Sequence, residues 1–535
     1  MVSWFKKIYI KENSIKGATI LLMVTLVLSN LLGVIRDHFL AKHISTYYLD
    51  IYYAGFKLPD LMFNVLILSA VSSVFIPIFT EKISQKESKR GFELANNLLL
   101  AGVFFTTISA VILYFLLPFL IPLLVPKFSQ DRINLTVSVS RILSITPIFF
   151  SISYALSGIL NSYKRFFAYS IAPLFYNCAI IFGAVFLSGK YGVTGIAWSV
   201  VVGSFFHFLI QLPAARRTGL KISFTQFWKD RDLKRIIKLM IPRSIGLGTN
   251  QITAIAFTTI ASALAAGSIA VYNFADNIQT MPVVVFGTSL ATVLFPTLSE
   301  QAALQNKDIF IKYFSRAFKV ITYTMIPSSI FLYLFSNQII RLILGSGKFN
   351  ISDTARASDT LGAFALAILF ESLLTLVVRA YFAQKNTRIP MNASLVSMVI
   401  GISAGYIFSR YLGVAGLALG IALGNMFSVI YLLIIFDKKF IKIDFSQFST
   451  YILKVLFASL VAGAIAYVSL RITGEIFDLR RVVGTLMQTL ISGVLGISAL
   501  IIISYWLGIE EISLVYKGVS QRLGFNSQEK LSDIQ

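Results

Sequence analysis

The chain has 535 residues, of which 56% are hydrophobic and only 13% charged, with a mean hydropathy of +0.78. Soluble domains average nearer a quarter charged residues, so too few charges are present to cover a water-facing surface of this size, and lipid is the better solvent. The net charge of +23 sits mostly between apolar runs and points to membrane topology and anionic headgroups rather than nucleic acid, while one cysteine (Cys178) and three histidines (His38, His43, His207) exclude a disulfide framework or a Cys/His metal cluster.

In chain order, Met1 to Lys11 lacks the apolar core and cleavage site of a signal peptide. Residues 1–16 read instead as an interfacial segment anchored by Trp4, Phe5, Ile8 and Tyr9. Fourteen runs then approach the 20 or so apolar residues that a spanning helix needs. Six near 17–41, 50–80, 92–124, 134–160, 167–188 and 193–213 make an N-terminal lobe, 17–213. Six near 236–264, 268–298, 312–345, 355–383, 389–410 and 414–436 make a C-terminal lobe, 236–436. Two more, near 449–472 and 483–508, are an addition. Residues 214–235 form a basic cytoplasmic linker, either a solvated loop that sets topology or a surface for anionic lipid. Residues 509–535 are a polar cytoplasmic tail. Cys178, inside an apolar run, reads as a small packing residue. The expected fold class is an all-α membrane protein with fourteen transmembrane helices.

Basic residues test that count. With a cytoplasmic N-terminus, the inner tails and loops hold 30 Lys+Arg and the outer loops 10. This bias favours an even number of spans with both termini inside. The halves also repeat: IPIFTE (Ile76–Glu81) matches FPTLSE (Phe295–Glu300) at an offset of 219, and YGVTGIAWSVVVG (Tyr191–Gly203) matches LGVAGLALGIALG (Leu412–Gly424) at 221. Such an offset spans six helices, so the two lobes are expected as parallel repeats about an axis along the membrane normal, with a substrate site between them.

Several segments then resemble one family. SNLLGVIRDHFLAKHI (Ser29–Ile44), YLDIYYAGFKLPDL (Tyr48–Leu61), LSGILNSYKRFFAYSIAPLFYN (Leu156–Asn177), GSIAVYNFADNIQTMPVVVFGTSLATVLFPTLSE (Gly267–Glu300) and RAYFAQKNTRIP (Arg379–Pro390) are similar to the MurJ/MviN lipid II flippases. The resemblance runs from about residue 15 to 436. It implies two six-helix lobes working by alternating access around a cationic cavity, and a groove for the lipid tail near the last two helices.

The candidate site residues are charges at membrane depth, which cost several kcal/mol unless they face a cavity or partner. Arg36 matches an arginine that the family uses for the substrate pyrophosphate, which a guanidinium fork suits; the alternatives are snorkelling or a pair with Asp37. Asp50 matches a family acid and either gates the outward face, paired with Arg36 or Lys57, or caps its helix. Lys57, beside Pro59 and Asp60, either faces the cavity or makes a structural turn or intrahelical pair. Asp276 has a cavity role or a structural hydrogen bond, and Arg243 is positioned to add cavity charge. Arg141 and Glu371 are expected to satisfy each other or nearby backbone.

The chain also departs from its relatives. Asn30 and Asn277 stand where relatives carry basic residues, as do Phe63 and Asn64, and an Asn-rich cation pattern is missing around Gly401 and Gly405. The expected activity is still flipping of lipid II in peptidoglycan synthesis, in the bacterial inner membrane. No cofactor is expected; membrane potential supplies the drive, with a coupling cation left open. The expected partners are lipid II or a similar polyprenyl-pyrophosphate-linked glycan, the phospholipid bilayer and, as an open possibility, cell-wall synthesis proteins. The rival readings are a flippase for another polyprenyl-linked oligosaccharide and an ion-coupled small-molecule exporter. No enzyme motif is present: H-E-x-x-H, P-loop and Ser/His/Asp arrangements are all missing.

Overall fold

The computed structural model describes residues 15–68, 75–85, 87–221, 223, 225–442 and 444–511, without the side chains of 15–20, 22, 23, 66, 68, 239 and 241–247. The N-terminal interfacial segment and the polar tail lie outside the described residues except at their inner ends. Among the described residues every regular element is helical. In order these are α1 (Ile15–His43), α2 (Thr46–Phe63), α3 (Ile76–Ser84), α4 (Ser88–Leu124), α5 (Gln130–Leu143), α6 (Thr146–Ser162), α7 (Phe166–Phe182), α8 (Ser188–Leu209), α9 (Leu212–Arg216) and α10 (Arg231–Ser262). They continue with α11 (Ser268–Pro282), α12 (Ser289–Ala303), α13 (Lys307–Leu334), α14 (Ser336–Leu344), α15 (Ile351–Phe364), α16 (Ala367–Ala383), α17 (Arg388–Leu412), α18 (Ala415–Lys439), α19 (Phe445–Ile476) and α20 (Val482–Trp506).

Among the described residues, ten helical stretches are long and apolar enough to cross a membrane, or eleven when α15 and α16, bent by 42°, count as one span. Their outer faces are apolar: Phe115, Phe119 and Leu123 on α4 are 67%, 72% and 73% exposed. Water would penalise such a surface, whereas hydrocarbon does not. Cys178 is also exposed rather than packed inside, because its face of α7 points outward. The expected spans at 167–188 and 193–213 form one helical stretch, Phe166–Arg216, turned at Gly192 (φ 57°, ψ −141°), a conformation that needs glycine. The expected spans at 50–80 and 236–264 are not among the ten; the first is helical over Thr46–Leu68 and Phe75–Ser84, with residues 69–74 outside the described residues, and the second over Arg231–Ser262.

The molecule packs as two compact units. The first comprises Met1–Ile278, Ile343–Ala357 and Met398–Leu417; the second comprises Gln279–Leu342, Ser358–Ser397 and Ala418–Gln535. In the first unit, α2 meets α5 closely. Pro59 removes the N–H that would bond the Gly55 carbonyl, and Ser140 Oγ of α5 donates to that carbonyl at 2.8 Å. A side chain on Gly55 would press on Val139, so glycine is what lets the two helices approach. Segment 343–357 is tied to the α1–α2 corner. His38 Nδ1 donates to the Ile343 carbonyl at 2.6 Å, Lys348 N–H to the Lys42 carbonyl at 3.1 Å, and Thr46 Oγ1 to Asp353 at 3.1 Å.

The linker keeps its basic residues exposed while its apolar and acidic residues anchor it to the helices beside it. Ala214, Ala215, Leu220 and Leu233 are buried in the core around α4 and α6. Asn96 of α4 exchanges two hydrogen bonds with the Ser223 backbone, at 2.6 and 3.0 Å, and Asn97 donates to Asp230 at 2.5 Å. Arg90 completes the clasp, 2.7 Å from Asp230 and 3.1 Å from Asp232. Asp230 in turn caps α10 by accepting the N–H groups of Asp232 and Leu233. In the second unit, α12, α13, α16 and α18 enclose an aromatic core of Phe310, Phe314, Tyr381 and Phe436, and α19 and α20 pack together beside α13.

Backbone peculiarities recur at the offset found in the sequence. Lys164 and Lys385 have φ of 55° and 56°, and Gly192 and Gly413 both have φ of 57°, each pair 221 residues apart. Short π-helical turns at Asn64–Leu68 and Val283–Thr288 begin 219 residues apart.

Candidate functional site

The site forms within the first unit, where α1, α2, α7 and α11 bring charges together. Arg36 and Asp37 adjoin on α1. The guanidinium meets Asp37 Oδ1 through Nη2 at 2.8 Å and Nε at 3.0 Å, and its Nη1 donates to Asn177 Oδ1 of α7 at 3.1 Å. Among the described residues three of its five N–H groups are engaged, which leaves two for another acceptor. The Arg36 side chain is 20% exposed and that of Asp37 only 3%. Arg36 is therefore a paired guanidinium, not a snorkelling one.

Asp37 spends its second oxygen on α11, accepting from Asn277 Nδ2 at 2.7 Å. Asn273, one turn earlier, accepts from Lys57 Nζ of α2 at 3.4 Å. Lys57 and Asp276 are half-buried, and Asn273, Asp276 and Asn277 follow the i, i+3, i+4 spacing of one helix face. Where relatives supply a basic residue, Asn277 supplies an amide. It satisfies the carboxylate without adding charge, so Asp37 offsets Arg36 alone.

Asp50 departs from expectation. It pairs with neither Arg36 nor Lys57, and it does not cap its own helix, since Ser45 holds that position. Its carboxylate instead meets Arg132 of α5 at 3.0 Å and accepts the N–H groups of Gly267 and Ala270 at 2.7 and 2.9 Å. Asp50 thus caps α11 from another helix, because α2 rotates the side chain toward that free N-terminus. Arg132 is packed over the rings of Phe128 and Tyr47, 3.6 and 4.2 Å from their centroids.

The remaining candidate residues lie elsewhere. Asn30 is not drawn to the site: its amide donates to the Leu26 carbonyl of its own helix at 2.9 Å, the nearest acceptor within reach. Of the two alternatives for Arg141, the structure shows the nearby backbone. Arg141 stacks on Tyr114 and donates to its carbonyl, while Gln279 donates to Glu371 at 3.4 Å. The side chain of Arg243 lies outside the described residues. Sequence reasoning missed Asn177 and Arg132 as site residues. The only available signals were Asn177 ending the apolar stretch LFYN and Arg132 standing alone in an outer loop.

A many-helix fold of this kind, with long apolar helices and charges gathered inside it, is that of a membrane transporter. A profile of the family described as lipid II flippase MurJ matches residues 44–488, and the chain belongs to that family of transporters. It is 27% identical over 466 residues to a probable lipid II flippase MurJ of Buchnera aphidicola, covering 86% of this chain and 90% of that protein. It is 24% identical over 411 residues to the lipid II flippase MurJ of Burkholderia cenocepacia, covering 74% and 79%. A solved lipid II flippase MurJ in an inward closed conformation superposes with a TM-score of 0.77 at 25% identity, over 94% of this chain and 99% of that one. An inward-facing multidrug transporter of the MATE family shares the fold, with a TM-score of 0.66 at 14% identity over 76% and 93%. Its apolar helices and its family make this a protein of the bacterial inner membrane.

Proposed function

We propose that this protein flips lipid II across the inner membrane by alternating access, with the Arg36 cluster receiving the substrate's pyrophosphate. The observation that carries this reading is the state of Arg36: its guanidinium is held by Asp37 and Asn177 with two N–H groups left over. An incoming pyrophosphate takes those donors first and then competes with Asp37 for the rest. Charge-assisted bonds of this kind contribute about 1.5–3 kcal/mol each. Lys57 is the second cation of the site, and Asp276 its counter-charge. Arg243 joins them as a proposed cavity residue on α10.

The fourteen-span layout with two parallel six-helix lobes at 17–213 and 236–436 is part of the same proposal. It is supported by the helices over each expected span and by the φ values repeated at 221 residues. Both termini are assigned to the cytoplasm from the basic-residue bias. Membrane potential acts on the charged headgroup and site, at about 2.3 kcal/mol per charge per 100 mV.

The test is Arg36→Ala in a flippase-depleted strain and in liposomes loaded with fluorescent lipid II. We expect loss of complementation and a fall in flipping of at least tenfold, with Arg36→Lys intermediate because it lacks the fork. Full activity of Arg36→Ala would remove the pyrophosphate assignment.

A further inference from the structure

A second cavity, of about 330 Å³, opens at the α1–α2 corner of the first unit. It uses none of the residues assigned to the Arg36 site. His43 and Tyr48 line one wall, Gly189, Tyr191 and Gly192 another, and Lys348 lies across the rim. Among the described residues no carboxylate lines it, and Lys348 is its cation. The two tyrosines are 48% and 54% exposed, so their rings are accessible beside the opening.

The local backbone is built to keep this space. At Gly189 and Gly192 a Cβ would meet nothing within 4 Å, so neither glycine is there to let helices pack, and Gly192 has the φ that turns the chain around the cavity. Gly347 is pressed against the Lys42 carbonyl, where a side chain would overlap it, and this contact fixes the turn that carries Lys348. His43 Nδ1 donates to the Phe39 carbonyl at 2.9 Å, which leaves Nε2 as the atom it can present. Lys190 stands 5.2 Å from the Tyr191 ring centroid and adds charge beside the opening.

We infer that this cavity is a binding site for a sugar carrying a carboxylate, of the size of one muramyl ring with a short acidic peptide. Tyrosine faces suit the apolar side of a sugar ring, and the lysine suits the carboxylate. The volume lies at the lower end of small-molecule pockets, too small for a disaccharide with a full peptide. His43 is seven residues beyond Arg36 on α1, about 10 Å along the axis. In the proposed topology that is the outward side, so the cavity receives the peptide-bearing end of the headgroup as it leaves. The assignment rests on the flippase reading for its role in transport.

The experiment titrates the purified full-length protein in nanodiscs with muramyl dipeptide, followed by saturation-transfer NMR. Saturable binding is expected, weakened at least fivefold by Lys348→Ala and by Tyr191→Ala and kept by Lys348→Arg. N-acetylglucosamine, which lacks the carboxylate, should bind at least fivefold more weakly. Absence of binding, binding indifferent to both alanine substitutions, or displacement by inorganic phosphate at equal concentration would overturn the site. Lipid II flipping is measured on the same preparation. Flipping without muramyl-peptide binding rejects the cavity and spares the flippase reading, and binding without flipping does the reverse.

Discussion

Arg132 and Asp50 differ in what each leaves behind when removed. Asp50 has three partners, the Arg132 guanidinium and two N–H groups at the start of α11. Arg132 has that carboxylate, the Tyr47 carbonyl and two rings. Asp50→Ala strands a buried guanidinium and uncaps α11, which should destabilise by about 3–5 kcal/mol. Arg132→Met leaves the carboxylate its two N–H donors and should cost about 1–3 kcal/mol. Thermal unfolding in detergent would rank them, and a larger loss for Arg132→Met would contradict the trans-capping role. The sequence revealed Arg36 and Asp50 because a charge inside an apolar run is conspicuous. It concealed Asn177, Arg132 and the α11 amides, since which side chain faces which depends on helix rotation across separations of 82 to 240 residues. Lys57 showed the same limit: Asp60 was its neighbour in the chain, yet it reaches Asn273 on α11.

Among elements, the linker at 214–235 is the most instructive. Its basic residues suggested a solvated strap, but its fewer acids and alanines hold it to α4. Burial alone would raise the Asp230 carboxyl, yet the hydrogen bonds from Asn97 and the Leu233 N–H, together with Arg90, hold it below the usual carboxylate range. A folded value below the unfolded one, near 3.9, means that its stabilisation is complete above that pH and is lost as pH falls through the folded value. Proteolysis of 214–235 should therefore accelerate under acid conditions in the wild type. Asp230→Asn should be more readily cut already at pH 7, with a weaker acid dependence. An identical pH profile for the two would remove Asp230 from the clasp. Helix breaks belong to this scale as well. Gly192→Ala should cost about 1–3 kcal/mol from backbone strain alone, because its surroundings are open. Gly413, with the same φ and equally open surroundings, should respond alike; an unfolding midpoint unmoved by either change would show that the turn tolerates a side chain. That a glycine recurs at both places was legible in the sequence, whereas its left-handed backbone, which breaks the helix there, was not.

For the whole molecule, charge sets the orientation and packing sets the number of spans. Among the described residues length and hydropathy admit ten or eleven crossings, while the proposed alternation of 30 inner against 10 outer basic residues favours an even number with both ends inside. The difference from fourteen lies in the bent pair α15–α16, in Phe166–Arg216, which breaks at Gly192 into two spans, and in α2 and α10; the charges of α2 are answered inside the protein by Asn273 for Lys57 and by α5 and α11 for Asp50. Both α2 and α10 cross in our reading, since an ion satisfied by neighbouring helices no longer counts against the bilayer. Cysteine labelling decides the matter. With the exposed native thiol removed by Cys178→Ser, single cysteines at Lys190 and Lys307 occupy the sixth helix's entry loop and the loop before the ninth span. An impermeant maleimide applied to intact spheroplasts should modify Lys190→Cys and spare Lys307→Cys until the membrane is opened. Removing α2 from the count reverses every loop after it, so labelling of Lys307→Cys with protection of Lys190→Cys would reject the fourteen-span arrangement and with it the outward placement of the α1–α2 corner.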